Sequence, residues 1–195
     1  KKKYRKNARP QLLYVGKIEE RRNVYFLIDI YRRLRKKMPE LQLVLVGNGE
    51  REYKAAFLNA IKEELEGGNI IYREKVQQKE LPKIYGSAEV FLFPSNYEIF
   101  GMVLLEAMYF GLPVVSSMNG GASMLIDDEI NGYIMSGFEL ESWTEKLESI
   151  LNNRKKREHM GESAREKITT NYTWECLVEK FEDVYRKAID EFERG

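Results

Sequence analysis

Short apolar runs alternate with helical patterns along most of this chain. Six runs are rich in Val, Leu, Ile and Phe and lack regularly spaced polar positions, which is typical of strands buried on both faces of a parallel sheet. We predict strands at residues 11–15, 41–46, 69–72, 89–93, 113–116 and 132–135.

Apolar residues spaced three and four positions apart predict helices between and after these strands. We expect the intervening helices at residues 23–37, 51–66, 79–86, 101–110 and, briefly, 122–126. From residue 139 onward the pattern is helical, with segments at 139–151, 155–169 and 173–192. Thr173 suits the N-cap of the last helix, whose apolar stripe comprises Trp174, Leu177, Val178, Phe181, Val184, Tyr185 and Ala188.

The alternation of strands and helices predicts an α/β fold with a doubly wound, Rossmann-like parallel sheet. We expect about six strands, helices on both faces and a helical C-terminal tail. Ligands bind such sheets beyond the carboxyl ends of the strands. Gly16, Gly47, Ser95 and Ser117 each lie at the carboxyl end of a predicted strand, so we expect them at one rim of the sheet.

The composition fits a single globular domain at residues 11–195. Of the 195 residues 43% are hydrophobic, and 32 basic and 31 acidic side chains nearly cancel, which argues against a nucleic-acid partner. Six basic residues between Lys1 and Arg9 make residues 1–10 a basic linker or an added end, with a membrane-surface patch as the alternative. A single cysteine and a single histidine argue against disulfides and zinc, and fit a cytoplasmic protein, free or peripheral at the inner membrane face.

A glutamate interrupts the most apolar predicted helix. Apolar residues surround Glu106 within the helix 101–110, so we expect a buried helix and a buried carboxylate. A buried charge needs a partner, and no basic residue lies within one helical turn. A ligand with hydroxyl groups would supply that partner, and a structural partner inside the core is the alternative.

The start of the same helix suits an anion. The amides of Gly101, Met102 and Val103 have no acceptor within the helix, and the helix dipole favours negative charge there. Glu98 lies just ahead, either as a second ligand-binding carboxylate or as an ordinary surface acid that complements the dipole. Together with Glu106, these features fit a phosphorylated polyol.

The segment from Glu98 to Val115 reads E-x-F-G-x-x-x-x-E-A-x-x-x-G-x-P-V-V and resembles the signature of the retaining, GT-B-fold glycosyltransferases of the group 1 family. The glycine turns after the first two strands and the stretch from Leu81 to Ser95 agree in order and spacing. The resemblance covers roughly residues 11–190. It implies the C-terminal half of such an enzyme, which binds the nucleotide sugar, with an N-terminal acceptor domain of the same polypeptide ahead of Lys1.

This resemblance implies roles for particular residues. Glu98 would contact the transferred sugar, while Lys17 and Arg22 would stabilise the leaving diphosphate in place of a divalent metal, so we expect neither a metal nor a cofactor. Glu106 would bind the ribose hydroxyls. The other residues expected to bind the nucleotide sugar are Gly16, Lys75, Val76, Phe100, Gly101, Met102 and Val103.

Some positions depart from the family pattern. Members more often carry arginine at position 17 and lysine at position 22, and these side chains differ in hydrogen-bond geometry. Ile99 replaces a smaller residue, and Met124 stands where many members have a glutamate. The last two differences leave the identity of the transferred sugar open.

The function implied is transfer of a sugar, with retention, from a nucleotide diphosphate, most commonly UDP, to a glycan or lipid-linked acceptor in surface polysaccharide synthesis. Without its acceptor domain the chain would bind nucleotide sugar but transfer inefficiently. The alternatives are a nucleotide-sugar epimerase, a phosphorylase (for which no pyridoxal phosphate lysine is evident) and a non-enzymatic Rossmann-like interaction module.

Overall fold

The chain forms a six-stranded sheet in which neighbouring strands are parallel. The computed structural model of the protein describes residues 9–194. Every predicted strand is confirmed to within one residue at each end. The strands are β1 (Gln11–Val15), β2 (Gln42–Val46), β3 (Ile70–Arg73), β4 (Val90–Phe93), β5 (Val114–Ser117) and β6 (Gly132–Met135).

The strand order β3-β2-β1-β4-β5-β6 places the first and fourth strands side by side in the middle of the sheet. Leu12 lies opposite Val90 and Leu13 opposite Phe91. The winding direction reverses between β1 and β4, and at such a reversal the loops on the two sides diverge and leave a crevice. The doubly wound sheet is therefore confirmed, and it locates the crevice beyond Val15 and Phe93.

The helices follow the predicted order with different boundaries. They are α1 (Val24–Lys37), α2 (Arg51–Ala60), α3 (Lys62–Glu66), α4 (Leu81–Ser87), α5 (Met102–Tyr109), α6 (Gly120–Leu125), α7 (Leu140–Leu151), α8 (Arg154–Asn171) and α9 (Trp174–Arg194). Short 3-10 turns at Glu20–Arg22 and Gln78–Glu80 precede α1 and α4.

The prediction of one helix at residues 51–66 is wrong. The helix breaks at Ile61, whose φ of −115° and ψ of 19° are not helical. The Ile61 side chain is only 1% exposed, and Phe57 one turn earlier is fully buried. A break at this point lets both side chains reach the core while the chain turns towards β3.

Helices pack on both faces of the sheet. Right-handed crossovers on either side of the reversal put α1 and α2 on one face and α5 and α6 on the other. Later in the chain, α7 packs against α1, and α8 packs against α5. The core between these layers includes the fully buried side chains of Tyr31, Phe91 and Trp143.

The predicted helical tail is confirmed, and its apolar stripe is largely exposed. Thr173 caps α9, its hydroxyl oxygen accepting from the Cys176 amide at 3.5 Å. Trp174 is 79% exposed and Phe181 is 60% exposed. α9 contacts α8, yet most of its apolar face is left uncovered by the described residues.

The predicted basic segment falls mostly outside the described residues. Its last two residues join the fold: the Arg9 guanidinium donates to the Glu40 carbonyl and to the Asn69 side chain, and the Pro10 carbonyl accepts from the Gln42 amide. Within residues 9–194, no helix is both long enough and apolar enough to span a membrane.

Candidate functional site

Two adjoining clefts open at the carboxyl edge of the sheet. The large cleft, of about 810 Å³, lies beyond β1, β2 and β3. The small cleft, of about 240 Å³, lies between the end of β4 and the start of α5. Gly16 lines both clefts, so the turn after β1 lies at their boundary. Most of the predicted site residues line one of the two: Lys17, Lys75 and Val76 the large cleft, and Arg22, Glu98, Phe100, Gly101, Met102 and Val103 the small one.

The large cleft combines an apolar floor with exposed charges. Val15, Val46, Val76 and Leu81 contribute apolar surface, and the exposed Lys17 lies at the edge. The buried Tyr14 hydroxyl donates to the Lys17 carbonyl at 2.7 Å, which fixes the backbone that carries this lysine.

Helix α2 also begins at the large cleft, but its N-terminus is already occupied. The Glu50 carboxylate accepts from the Glu52 and Tyr53 amides, each at 3.0 Å. Those amides lower the pKa of Glu50 below its ordinary value, so the carboxylate is charged at neutral pH. The protein therefore supplies its own anion at this helix start.

The N-terminus of α5 has no such side-chain cap. Gly101 precedes the helix with a φ of 82°, in the left-handed region that favours glycine. The amides of Met102 and Val103, in the first helical turn, have no acceptor within the helix. Both residues line the small cleft, so this helix start can receive an anionic ligand.

Arg22 and Glu98 form an ion pair inside the small cleft. Arg22 Nη1 lies 2.6 Å from Glu98 Oε2, and the two side chains are only 16% and 19% exposed. Nη1 also donates to the Ser95 hydroxyl at 3.1 Å, and the guanidinium lies 5.5 Å from the centre of the Phe93 ring. Arg22 Nε lies 3.4 Å from Glu19 Oε1, so a second carboxylate holds the guanidinium in place.

The pair keeps Glu98 ionised. Burial raises the pKa of Glu98, but the hydrogen bond and charge of Arg22 outweigh it, and the amides of Gly101 and Ile99 add to the lowering. The resulting pKa lies below the ordinary value. The small cleft thus holds a fixed carboxylate beside a fixed cation, with the open helix start next to them.

Glu106 also lies on α5, and its carboxylate accepts a hydrogen bond from a tyrosine. The Tyr85 hydroxyl in α4 donates to Glu106 Oε2 at 2.7 Å. Burial, and then the charge and hydrogen bond of Glu106, raise the pKa of Tyr85 well above its ordinary value, so the phenol stays protonated. The second carboxylate oxygen, Oε1, has no hydrogen-bond partner among the described residues.

Metal-binding side chains are not grouped in the described part of the chain. Between residues 9 and 194, no set of three or more His, Cys, Asp and Glu side chains is arranged to hold a metal ion. The charged groups of the two clefts are instead lysines, an arginine and carboxylates paired with bases or amides.

The sequence profile of a known family matches most of the chain. The profile is described as glycosyl transferases group 1, and it aligns with residues 1–167. The chain belongs to this family. Its fold is accordingly the Rossmann-like half of the GT-B architecture, as the sequence motif predicts.

Individual relatives agree with this membership. The sulfoquinovosyl transferase SQD2 of Arabidopsis thaliana is 30% identical over 189 residues, covering 93% of this chain and 34% of the Arabidopsis protein. The chain spans half the length or less of this and the other curated relatives described here. The lipopolysaccharide 1,2-N-acetylglucosaminetransferase of Salmonella typhimurium is 29% identical over 188 residues, covering 92% of this chain and 49% of that enzyme.

A solved structure shows the same fold. Sucrose-phosphate synthase from Thermosynechococcus elongatus superposes with a TM-score of 0.80 at 24% identity, over 94% of this chain and 46% of that one. At this identity the likeness establishes the fold alone.

One sequence-based expectation about this group 1 chain is wrong. Helix α5 is not buried on every side, because Met102 is 58% exposed and Tyr109 is 40% exposed. Glu106 itself is half-buried. Met102 lines the small cleft, and the Tyr109 ring lies 5.7 Å from the guanidinium of Arg165 in α8.

The structure supplies the alternative that the sequence left open, a structural partner for Glu106, and that partner is Tyr85. Tyr85 lies within the stretch from Leu81 to Ser95 that agrees with the family, and no role was predicted for it. Its position 21 residues before Glu106 carries no local signal, and only the packing of α4 beside α5 brings the two together.

A buried polar network beneath the small cleft was also missed. Ser95 is fully buried and accepts from Arg22, while its carbonyl accepts from the Ser117 hydroxyl and from the Asn119 side chain. Asn119 caps α6 through the Ala122 amide at 2.9 Å. The network links the ends of β4 and β5 and supports the loop that carries Glu98.

Proposed function

We propose that this chain is the nucleotide-sugar-binding domain of a retaining glycosyltransferase that uses a UDP-sugar. The observation that carries the proposal is the small cleft, where an uncapped helix start, Arg22 and Glu98 converge beside Gly16. A glycosyl diphosphate has an anion that suits the helix start and the guanidinium, and a neutral polyol that suits the carboxylate.

The nucleoside would occupy the large cleft. The apolar floor of this cleft at Val15, Val46, Val76 and Leu81 suits a planar base. The main chain of Lys75 and Val76, which also line the cleft, would bind the base edge. The diphosphate would then run past Gly16 into the small cleft, with Lys17 on one side. Glu106 would accept from the ribose hydroxyls.

The proposed reaction retains the configuration of the sugar and uses these positions. The bond between the anomeric carbon and the diphosphate breaks, and the leaving diphosphate takes the electron pair. The acceptor oxygen forms its bond on the same face of the sugar, and its proton passes to the diphosphate. Lys17, Arg22 and the α5 amides would stabilise the charge on the leaving group, and preorganised charge of this kind lowers the barrier in a site that excludes water.

The choice of UDP draws on a related structure. The Anabaena protein HepE, solved in complex with UDP and glucose, superposes with a TM-score of 0.77 at 18% identity, over 90% of this chain and 48% of that one. Its ligands supply the hypothesis of a uridine nucleotide here. The acceptor would be a glycan or a lipid-linked sugar, bound by a second domain.

Calorimetry with UDP, GDP and uridine tests the proposal. We expect UDP to bind equally well with and without a chelator. In Lys17→Ala, UDP affinity should fall roughly tenfold to a hundredfold, because a hydrogen bond to a charged group contributes about 1.5–3 kcal/mol. Uridine affinity should stay constant, because only the diphosphate reaches this lysine.

A matched control is Lys155→Ala, at an exposed lysine in the first turn of α8. It should bind UDP as the wild type does. Absence of binding for both nucleotides would refute the proposed function. Loss of UDP binding on chelation, or equal losses of UDP and uridine in Lys17→Ala, would refute the role given to the cation.

A further inference from the structure

We propose that Tyr85 is a positioning residue that orients the Glu106 carboxylate for a vicinal diol, so that nucleotide binding depends on the ribose hydroxyls through Tyr85. The inference rests on the proposed function, since it requires a nucleotide in the large cleft. Its physical basis is a buried phenol whose single proton is committed to one carboxylate oxygen.

Tyr85 is rigidly held. Its side chain is fully buried, its ring stacks on Phe110 with centroids 5.5 Å apart and planes 7° apart, and it lies 6.0 Å from the Phe91 ring. These contacts leave the hydroxyl no freedom to follow a mobile partner. The glutamate must instead come to the tyrosine, which selects one orientation of the Glu106 side chain.

In this orientation the Glu106 carboxylate can still accept hydrogen bonds from hydroxyl groups. Glu106 Oε2 accepts from Tyr85 and keeps a second lone pair, while Oε1 has no partner within residues 9–194. An ionised carboxylate only accepts hydrogen bonds. A pair of adjacent hydroxyl groups can donate to the two oxygens at once, whereas a phosphate would be repelled. The site therefore distinguishes the sugar part of a nucleotide from its phosphates.

Helix α4 connects this carboxylate to the large cleft. The helix begins at Leu81, which lines the cleft, and reaches Tyr85 one turn later. A ligand base that contacts Leu81 would have its ribose within the reach of the same helix. Because fixing a flexible glutamate before the ligand arrives removes part of the ordering cost of binding, the phenol should raise affinity without contacting the ligand.

Tyr85→Phe tests the proposal, because it removes only the hydroxyl and keeps the ring contacts. The probes are UDP and 2′,3′-dideoxy-UDP, measured by calorimetry. We expect Tyr85→Phe to weaken UDP binding roughly threefold to tenfold, in line with one hydrogen bond of about 0.5–1.5 kcal/mol. The same change should leave dideoxy-UDP binding unaltered, a selectivity that a merely structural role would not produce.

Glu106→Gln and the double variant complete a mutant cycle. Once Glu106 is replaced, Tyr85→Phe should cause no further loss of UDP affinity, because the phenol acts through the carboxylate. Glu106→Asp retracts the carboxylate from the phenol while keeping its charge. It should also lose the preference for UDP over the dideoxy nucleotide, and it serves as the reporter in the event that Tyr85→Phe does not fold.

Tyr31→Phe is the matched control. Tyr31 is equally buried, and its hydroxyl donates to the Asn69 carbonyl at 2.7 Å, at the opposite edge of the sheet. It should lose stability without losing UDP affinity. Unchanged UDP affinity in Tyr85→Phe, or equal losses for the two nucleotides, would overturn the inference. Wild-type protein that binds no nucleotide would instead refute the proposed function.

Discussion

The ion pair between Arg22 and Glu98 changes the roles expected of both residues. From the sequence, each was expected to meet a different part of a ligand. In the structure the two side chains form an ion pair, with 2.6 Å between Arg22 Nη1 and Glu98 Oε2, and each side chain is less than one-fifth exposed. Removing either one would leave the other charge poorly solvated, so a single substitution reports on the pair rather than on one side chain.

The pH dependence of stability provides a test at this residue. Because the pKa of Glu98 is lower in the folded chain, its contribution is present above the unfolded pKa of roughly 4.3 and is lost as the pH falls through the folded value. We expect Glu98→Gln to be less stable than the wild type at pH 7 and to approach it below about pH 4. Urea unfolding at several pH values measures this difference.

The control for this measurement is Glu145→Gln, at an exposed position of α7 with no ion pair among the described residues. It should track the wild type across the whole range. A Glu98→Gln deficit that stays constant down to pH 3 would show that the effect comes from shape rather than from the carboxylate charge.

At the scale of elements, the start of α5 depends on one backbone conformation. Gly101 has a φ of 82°, and a Cβ at this position would come 2.9 Å from Leu104 Cδ1. The turn at Gly101 directs the first-turn amides of α5 towards the small cleft. The backbone conformation of this glycine therefore affects both the start of the helix and the proposed binding of an anion.

Gly101→Ala should therefore lose both stability and UDP affinity. A left-handed alanine costs about 1–2 kcal/mol, and contact with Leu104 adds to this cost. Gly68→Ala is the matched control, because Gly68 has a φ of 64° and no atom within 4 Å of its Cβ position. Thermal unfolding and calorimetry on both variants separate the cost of backbone strain from loss of binding. If Gly101→Ala bound UDP like the control, the anion site would not lie at this helix start.

Helix α9 is a second element with a clear expectation. Its apolar stripe contributes little to the stability of this chain, because Phe181 is 60% exposed. Phe181→Ala should change the free energy of unfolding by less than about 0.5 kcal/mol. Leu147→Ala in the buried face of α7 should cost about 2–5 kcal/mol. Chemical denaturation compares the two truncations, and a large loss of stability in Phe181→Ala would contradict the exposed position of this side chain.

For the whole molecule, the two clefts lie along one open edge of the sheet. The chain covers 34% and 49% of the lengths of the two curated relatives, and we expect the residues that they carry in addition to complete the site. Catalysis requires the acceptor to be aligned with the anomeric carbon, and such positioning supplies several orders of magnitude in rate.

The 195-residue chain should accordingly bind nucleotide sugar and transfer it poorly. A radiolabelled UDP-sugar and a broad acceptor panel measure this, with slow hydrolysis as the expected background. Supplying a domain that binds the acceptor, in one chain or in trans, should restore transfer. Robust transfer by the chain alone would contradict the need for a second domain.

The sequence by itself determined the sheet and its rim. A short unbroken apolar run such as residues 43–46, followed by a glycine, favours a strand covered on both faces, and the glycine marks where the chain turns. The signature from Glu98 to Val115 determined the family, because its residue types and spacing are local and survive in the linear chain.

Only the tertiary structure decided which side chains meet. The Arg22–Glu98 and Tyr85–Glu106 contacts join residues 76 and 21 positions apart, and no periodicity encodes such a pairing. The break at Ile61 and the exposure of Met102 likewise depend on what packs against each helix. The physical reason is that apolar pattern specifies which face of an element is buried, while the partner across that face is chosen by the packing of the whole chain.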